Sequence, residues 1–234
     1  MTYMSEQEVQ KQHLDVLGPE LGPVYNALYN DCAWLHVKWD HYVEIYGTKS
    51  ERIDLLNRAA GVFFRITQDA LWNDTLINLC RLTDPASTWV AGQPKQNLSL
   101  WQLPSMISDD TFGAEIKRLV ELARAATTFA RDWRNRRIAH RDLALAITEG
   151  AQAIATASRN DVDNALHAVS RVLERIHEFY FNSPEFRLER ITETVASDAV
   201  LYVIRDGLEA EERRRKRIRE REIEPEEIQP PRPI

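Results

Sequence analysis

Five arginines and one histidine lie within eleven residues of the chain, in the stretch RDWRNRRIAHR from Arg131 to Arg141. Histidine transfers protons near neutral pH, and guanidinium groups stay positively charged at any physiological pH. Together they could cleave a phosphodiester without a metal, because the histidine moves protons while the arginines hold the charge that develops on the phosphate. The stretch is therefore the first candidate site, and its chemistry indicates RNA.

The chain as a whole is acidic despite this stretch, with a formal net charge of -6 over 234 residues. Such a balance excludes a protein that coats nucleic acid with its whole surface, so an RNA site must be local. Two cysteines, Cys32 and Cys80, are too few for a disulfide framework and lack the pairing of a zinc site. The N-terminus does not resemble a signal peptide, and no apolar run is long enough for a membrane span. We therefore expect a cytoplasmic protein with no membrane partner.

Composition and periodicity predict an all-α fold around the candidate site. Glycine occurs only 8 times, and Ala, Leu, Arg and Glu are abundant. A short helix over 5–17 should stop at Gly18-Pro19, and a long helix should follow and end at Gly47. Its apolar stripe has alternating spacings of three and four, at Leu21, Tyr25, Leu28, Cys32, Leu35, Trp39, Tyr42 and Tyr46.

A second long helix is predicted from a capping box at Thr48 and Glu51 to about Arg81. Its apolar residues cover most of its circumference, so we expect it to be the central helix of the core. Residues 83–104, with their glycine and prolines, read as a long loop with one helical turn near Ser99. Loops of this length often carry function, and Trp89 and Trp101 are its candidates for stacking on RNA bases.

The candidate site comes at the end of a third helix, predicted over 110–137. A fourth helix should start at Asn160 or Asp161 and stop at 182–184. Residues 209–234 hold eight acidic and eight basic residues and a proline-rich end, which cannot build a core. The predicted division is an N-terminal helix or arm at 1–19, a helical domain at 20–208, and a tail at 209–234, disordered or a solvated helix.

Within the basic stretch, Arg134 and Asn135 are followed by His140, a pattern that resembles the ribonuclease motif of the HEPN superfamily. The Arg81-Leu82-Thr83-Asp84 element, the loop leading to Asn97-Leu98-Ser99-Leu100, and the later WRNRRIAHRD stretch extend the likeness. Over residues 20–180 the chain is similar to the abortive-infection branch of the AbiU type. The resemblance implies a HEPN-like up-and-down bundle of four to five main helices, with a long loop between helices two and three and a charged C-terminal extension.

The resemblance also implies a metal-independent endoribonuclease without a cofactor, in which the substrate's own 2′-hydroxyl attacks the adjacent phosphate. Arg134, Asn135 and His140 would be catalytic, and Arg136, Arg137 and Arg141 would contact RNA phosphates. On a regular helix Arg134 and His140 lie about 120° apart, so a homodimer would be needed to bring two such helix ends into one cleft. The implied setting is phage abortive infection or a toxin–antitoxin pair. No nucleotidyltransferase motif occurs, so an antitoxin of that class would be a separate chain.

Two other interpretations remain open. Arginines and a histidine at a helix C-terminus are favoured by the helix dipole, so the stretch could be a capped, solvated helix end. The chain could also be a non-catalytic HEPN-like module that binds RNA or a protein partner. Asp142 could orient His140 or pair with an arginine. Asp84 could reach the motif from the second helix, but a residue before proline is more often a turn former, so it is left out of the catalytic set.

Overall fold

The computed structural model describes residues 5–140, 142–147, 153–184, 186–188, 198–220 and 222. The chain divides into two compact units. The first contains the described residues of 1–40 and 69–195, and the second those of 41–68 and 196–234. Because the basic stretch lies in the first unit, that unit positions the candidate site. The predicted division at residues 19 and 208 stays a prediction.

The first helix, α1 (Glu6–Tyr46), is interrupted at Gly18, as the sequence predicted. Gly18 has φ 78°, a left-handed conformation that glycine adopts without steric cost. The residues before it fold back on those after it: His13 Nδ1 lies 2.8 Å from Asn26 Oδ1, and a Cβ on Gly22 would come within 3.0 Å of Leu14 Cα. The predicted stripe is buried up to Trp39, with Leu21, Tyr25, Leu28, Cys32 and Leu35.

Helix α2 (Ser50–Thr83) is not central along its whole length. Leu76, Leu79 and Cys80 are fully buried, whereas Val62, Phe63 and Ile66 are 79%, 62% and 63% exposed. The prediction that the whole helix is a central core element is therefore wrong. The helical geometry breaks at Ala60 (φ -159°, ψ 66°), and the residues up to 68 belong to the second unit. The Thr48 hydroxyl donates to Glu44 O at the end of α1 (3.3 Å).

The predicted loop after α2 contains a small antiparallel hairpin, β1 (Ser87–Val90) and β2 (Gln93–Gln96). Ala91 and Gly92 both have positive φ, 50° and 79°, which suits the tight turn of a two-residue hairpin. A 3₁₀ helix (Leu100–Met106) then follows where the sequence predicted one turn. The hairpin was missed because Ala-Gly is a weaker turn signal than Asn-Gly and Pro94 disfavours a strand.

The predicted third helix is three consecutive pieces. Helix α3 (Asp110–Ala126) is capped by Asp109, whose side chain accepts from Phe112 N (2.8 Å). Thr127 separates it from α4 (Thr128–Trp133), and α4 continues into a π-helical turn at Arg134–Ile138. A short helix, α5 (Leu143–Ile147), comes next. The candidate motif therefore begins in a wide helical turn, rather than in a regular α-helix.

Helix α6 (Arg159–Phe181) joins the other helices of the first unit. Toward α1, Leu173 O accepts from Tyr25 Oη (3.2 Å). Toward α3, Arg175 pairs with Glu115 (2.8 Å). The helix ends where predicted, at Asn182 in the left-handed region. Its N-cap is Ser158, which forms a capping box with Asp161, whereas the sequence predicted a cap at Asn160 or Asp161.

Helix α7 (Asp198–Arg219) lies in the second unit and extends past residue 208 into the predicted charged tail. Throughout the described residues, no helix combines the length and apolarity needed to cross a bilayer. Helices make up most of the described chain, and the hairpin is the only sheet among the described residues, so the predicted all-α helical bundle is confirmed.

Candidate functional site

The π turn changes the relation between Arg134 and His140. Ala139 N donates to Arg134 O (2.8 Å), a bond that spans five residues where an α-helix spans four. Ala139 thus completes the turn above Arg134, and His140 follows it in a bend with its side chain exposed. In a regular α-helix the turn that starts at Arg134 would be completed at Ile138, two residues before His140. Here it is completed at Ala139, the residue directly before His140. Single π turns occur often at functional sites.

Asp84 at the end of α2 holds the guanidinium of Arg134. Nη1 of Arg134 lies 2.6 Å from Oδ2 of Asp84, and Nε donates to Asn135 Oδ1 (3.2 Å). The Arg134 and Asp84 side chains are 28% and 24% exposed. The arginine is therefore positioned by a carboxylate while part of its surface faces solvent, where an anionic ligand could reach it. The structure brings together Arg134 and the residue that the sequence analysis left out.

Arg131 has a different environment. It donates to Thr83 O (2.9 Å), Thr83 Oγ1 (2.6 Å) and Thr127 Oγ1 (2.7 Å). Burial lowers the pKa of this guanidinium. These bonds join the end of α2 to the break between α3 and α4, so Arg131 is an anchor for the site. Nothing in the sequence distinguished this arginine from its neighbours.

Cys80 lies beneath this cluster and is fully buried. Burial raises the pKa of its thiol to about 11, and the nearby Arg134 and Arg131 only partly oppose that effect. The thiol is therefore neutral at physiological pH and does not act as a nucleophile. In the described part of the chain, no three His, Cys, Asp or Glu side chains come together to hold a metal ion.

Arg136 pairs with two carboxylates, Asp142 (3.2 Å) and Asp132 (3.7 Å). Of the two roles considered for Asp142, the structure shows the arginine pair. Arg136 also donates to Ala153 O (3.2 Å). Its role as an RNA contact stays a prediction, and the structure adds that this side chain fastens the end of the motif.

Arg137 is exposed and lies over the Trp133 ring, with its guanidinium carbon 5.0 Å from the ring centroid. Trp133 itself donates to Ala155 O (2.8 Å), while Asp132 accepts from Ala155 N (2.7 Å). The segment before α6 thus holds the motif helix by its buried side, which leaves Arg137 facing solvent. Asn135 is also exposed. Arg141, the third predicted RNA contact, lies outside the described residues.

The arrangement contains the groups that phosphate chemistry needs. An exposed imidazole at His140 could exchange protons with a ligand, and the partly exposed guanidinium of Arg134 could hold an oxyanion. Asp84, which the sequence suggested could reach the motif but which was left out of the catalytic set, is the residue that contacts Arg134. The Arg81-Leu82-Thr83-Asp84 element was its signal in the sequence.

A family model described as AbiU2, of the HEPN group, matches residues 18–202. No curated protein and no solved structure gives a significant match to the chain. The family match covers most of the chain and includes α2, the motif turn and α6. The chain therefore belongs to the HEPN AbiU2 family.

Proposed function

We propose that the protein is a metal-independent endoribonuclease. One observation carries the proposal: Arg134, held by Asp84 at 2.6 Å, and the exposed His140 flank one π turn at the end of α4. Membership of the HEPN family supports it, because this kind of module generally cleaves RNA in abortive infection.

In the proposed reaction the 2′-oxygen of a ribose attacks the adjacent phosphorus and the bond from phosphorus to the 5′-oxygen breaks. A base removes the 2′-hydroxyl proton and an acid protonates the departing 5′-oxygen, which leaves a 2′,3′-cyclic phosphate and a 5′-hydroxyl. His140 serves as one of these groups. Arg134 stabilises the pentacovalent phosphate, and Asn135 orients the phosphate by hydrogen bonds.

The site is proposed to form between two copies of the chain, each contributing Arg134 and His140. Arg137 and Arg136 would hold the RNA backbone, together with Arg141. The biological setting proposed from the family is phage defence. If activity is neutralised by an antitoxin, that protein is a separate chain.

A second function, a non-catalytic HEPN-like module that binds RNA or a protein partner, is favoured by the ion pairs. Arg134 and Arg136 already have carboxylate partners at 2.6 Å and 3.2 Å, as expected for a stable helix end. In this alternative the same surface binds a ligand without breaking a bond.

RNA cleavage in the presence of a chelator distinguishes the two functions. Wild-type protein should cut total RNA and leave 2′,3′-cyclic phosphate ends, while His140→Ala should bind RNA without cutting it. His167→Ala, on the exposed part of α6, is the matched control and should cut normally. Intact RNA with wild-type protein would support the binding module, and full cleavage by His140→Ala would remove that residue from the mechanism.

A further inference from the structure

A surface pocket of about 590 Å³ lies beside the motif in the first unit. Its size is in the range of small-molecule sites. It is lined by residues from the segment between α2 and β1, the 3₁₀ helix, and α3 and α4: Pro85, Ala86, Trp101, Glu121, Arg124, Ala125 and Thr128. The pocket thus combines an aromatic ring and small apolar side chains with one carboxylate and one guanidinium.

One covalent link and one hydrogen bond connect the pocket to the candidate active site. Pro85 directly follows Asp84, so its Cα is about 3.8 Å from that of the residue that holds Arg134. Arg131 donates to Arg124 O (3.1 Å) from within the same cluster. The pocket therefore borders the residues that position Arg134.

The wall that contains Pro85 and Ala86 is held in place by side chains outside the pocket. Asn97 Nδ2 donates to Pro85 O (2.9 Å), and Gln102 Nε2 donates to Ala86 O (2.8 Å) and Asn97 O (2.9 Å). Trp101 precedes Gln102 in the 3₁₀ helix. The residues that follow the hairpin thus hold the pocket wall, so the pocket exists without a ligand.

Glu121 and Arg124 are three residues apart on α3, so they share a face, and both are exposed at the pocket. A carboxylate accepts hydrogen bonds and a guanidinium donates them. A flat ring with two neighbouring donors on one edge and acceptors on another would match this carboxylate and guanidinium, and Trp101 offers it an aromatic side chain to pack against.

We propose that this pocket binds a guanine base of the RNA next to the cleaved phosphate, which gives the enzyme its sequence preference. Guanine has the N1–H and N2–H₂ donors side by side for Glu121, and the O6 and N7 acceptors for Arg124. Uracil has an oxygen on each side of its single N–H, and a carboxylate repels these oxygens. Adenine has one exocyclic amine and no neighbouring ring N–H. The proposal rests on the proposed function for the position of the phosphate, but base binding itself is independent of cleavage.

RNA binding to the full-length His140→Ala variant tests the pocket without cleavage of the probe. The probes are short labelled RNAs of uridines with one central guanosine, inosine or adenosine, compared by fluorescence anisotropy at one fixed salt concentration. The guanosine probe should bind about tenfold more tightly than the adenosine probe, as a bidentate base contact typically does. The inosine probe, which lacks the N2 amine, should fall between them.

Glu121→Gln in the same background should reduce the preference for guanosine over adenosine to about twofold or less. Because Glu121 is exposed, this change does not threaten folding. Glu20→Gln, exposed on α1 and outside the pocket, should keep the full preference. Trp101→Ala should weaken all three probes, because it removes the stacking surface.

The possible results separate the pocket from the nuclease. Equal affinity for guanosine and adenosine probes, or a preference that survives Glu121→Gln, would overturn the pocket even if wild-type protein cleaves RNA. A preference that depends on Glu121 would support the pocket even if wild-type protein leaves RNA intact, in which case only the nuclease proposal fails. With an active enzyme, cleavage should concentrate next to guanosines in wild type and lose that bias in Glu121→Gln.

Discussion

The arginines of the motif differ in role although they are neighbours in the chain. Arg131 is an internal anchor on Thr83 and Thr127, Arg136 is paired with carboxylates, and Arg137 is exposed over Trp133. Arg134 combines a short ion pair with partial exposure. The role of each arginine follows from how buried it is and from which groups it contacts. Those contacts depend on α2 and on the segment before α6.

Asp84 is expected to act as a positioning residue for Arg134. Asp84→Asn removes the charge that holds the guanidinium at 2.6 Å, so kcat for RNA cleavage should fall about 10-fold to 100-fold, as small misplacements of a catalytic group do. RNA affinity should change much less. Single-turnover cleavage and RNA binding measured on the same preparation check this split.

Glu115→Gln is the matched control for Asp84→Asn. It removes a carboxylate that binds Arg175 (2.8 Å) between α3 and α6, so it should lower the melting temperature and leave kcat near wild type. Asp84→Glu should restore part of the lost rate. A purely structural role for Asp84 would instead lower the melting temperature without changing kcat.

Arg137 and Arg136 should respond differently to truncation. Arg137→Ala should reduce the magnitude of the salt slope of RNA binding by about one unit, because Arg137 is an exposed cation. It should lower stability only slightly, by about 0.5–1 kcal/mol, through the lost contact with the Trp133 ring. Arg136→Ala should also lower stability, since it leaves Asp132 and Asp142 without this partner. Binding titrations over a range of salt, paired with thermal unfolding, test both. Equal salt slopes in wild type and Arg137→Ala would remove Arg137 from the RNA surface.

At the scale of elements, the end of α6 contains a partly buried aromatic cluster with two histidines, His177 and the buried His13. The His177 ring stacks between Phe181 (4.2 Å) and Phe186 (3.9 Å), and its Nδ1 is buried with no hydrogen-bond partner in the described chain. Burial lowers the pKa of His177 to about 4, with a smaller contribution from His13. Burial also lowers the pKa of His13. Both rings are therefore neutral in the folded protein near pH 7.

This cluster predicts a loss of stability in mild acid. Since the unfolded chain takes up protons near pH 6.5 and folded His177 only near pH 4, the free energy of unfolding should be constant above about pH 7 and fall between about pH 6.5 and 4. His177→Phe should reduce this fall by up to about 3 kcal/mol. Denaturant unfolding across this pH range measures it.

Phenylalanine fits this test because His177 already stacks as a ring and its Nδ1 loses no bond. His167→Gln, at an exposed position on α6, is the control. Its free energy of unfolding should depend on pH as that of the wild type does. An identical pH dependence in wild type and His177→Phe would show that acid sensitivity comes from elsewhere. Glu178, whose pKa is lowered by Arg171, should add its own loss at still lower pH.

At the scale of the whole molecule, the proposed active site needs two chains. If Arg134 of one protomer works with His140 of its partner, a dimer of one Arg134→Ala and one His140→Ala chain keeps one intact pair. Mixing the two inactive variants under exchange conditions should then restore about a quarter of wild-type cleavage, because half the dimers are mixed and each has one of two pairs.

Each variant alone should remain inactive in this complementation experiment. His140→Ala alone, measured at the total protein concentration of the mixture, is the control for protein concentration. No activity in the mixture, with subunit exchange shown by mass labelling, would mean that Arg134 and His140 act within one protomer or not at all. A strictly monomeric protein in solution would contradict the shared site directly.

The sequence alone determined the helical class, the break at Gly18, the buried stripe of α1, the end of α6 and the position of the motif. These features depend on neighbouring residues or on a repeat of three to four positions, which the chain displays directly. The family resemblance was readable for the same reason, because the Arg134–His140 spacing and the Arg81–Asp84 element are local patterns.

Only the tertiary structure decided which side chains meet. The Asp84–Arg134 pair joins residues fifty positions apart, and the pocket combines Trp101 with Glu121 and Arg124. Three apolar residues of α2 turn out exposed, Val62, Phe63 and Ile66. The π turn likewise has the same local composition as an α-helix end. Packing between distant elements determines these features, and helical periodicity within one segment has no information about them.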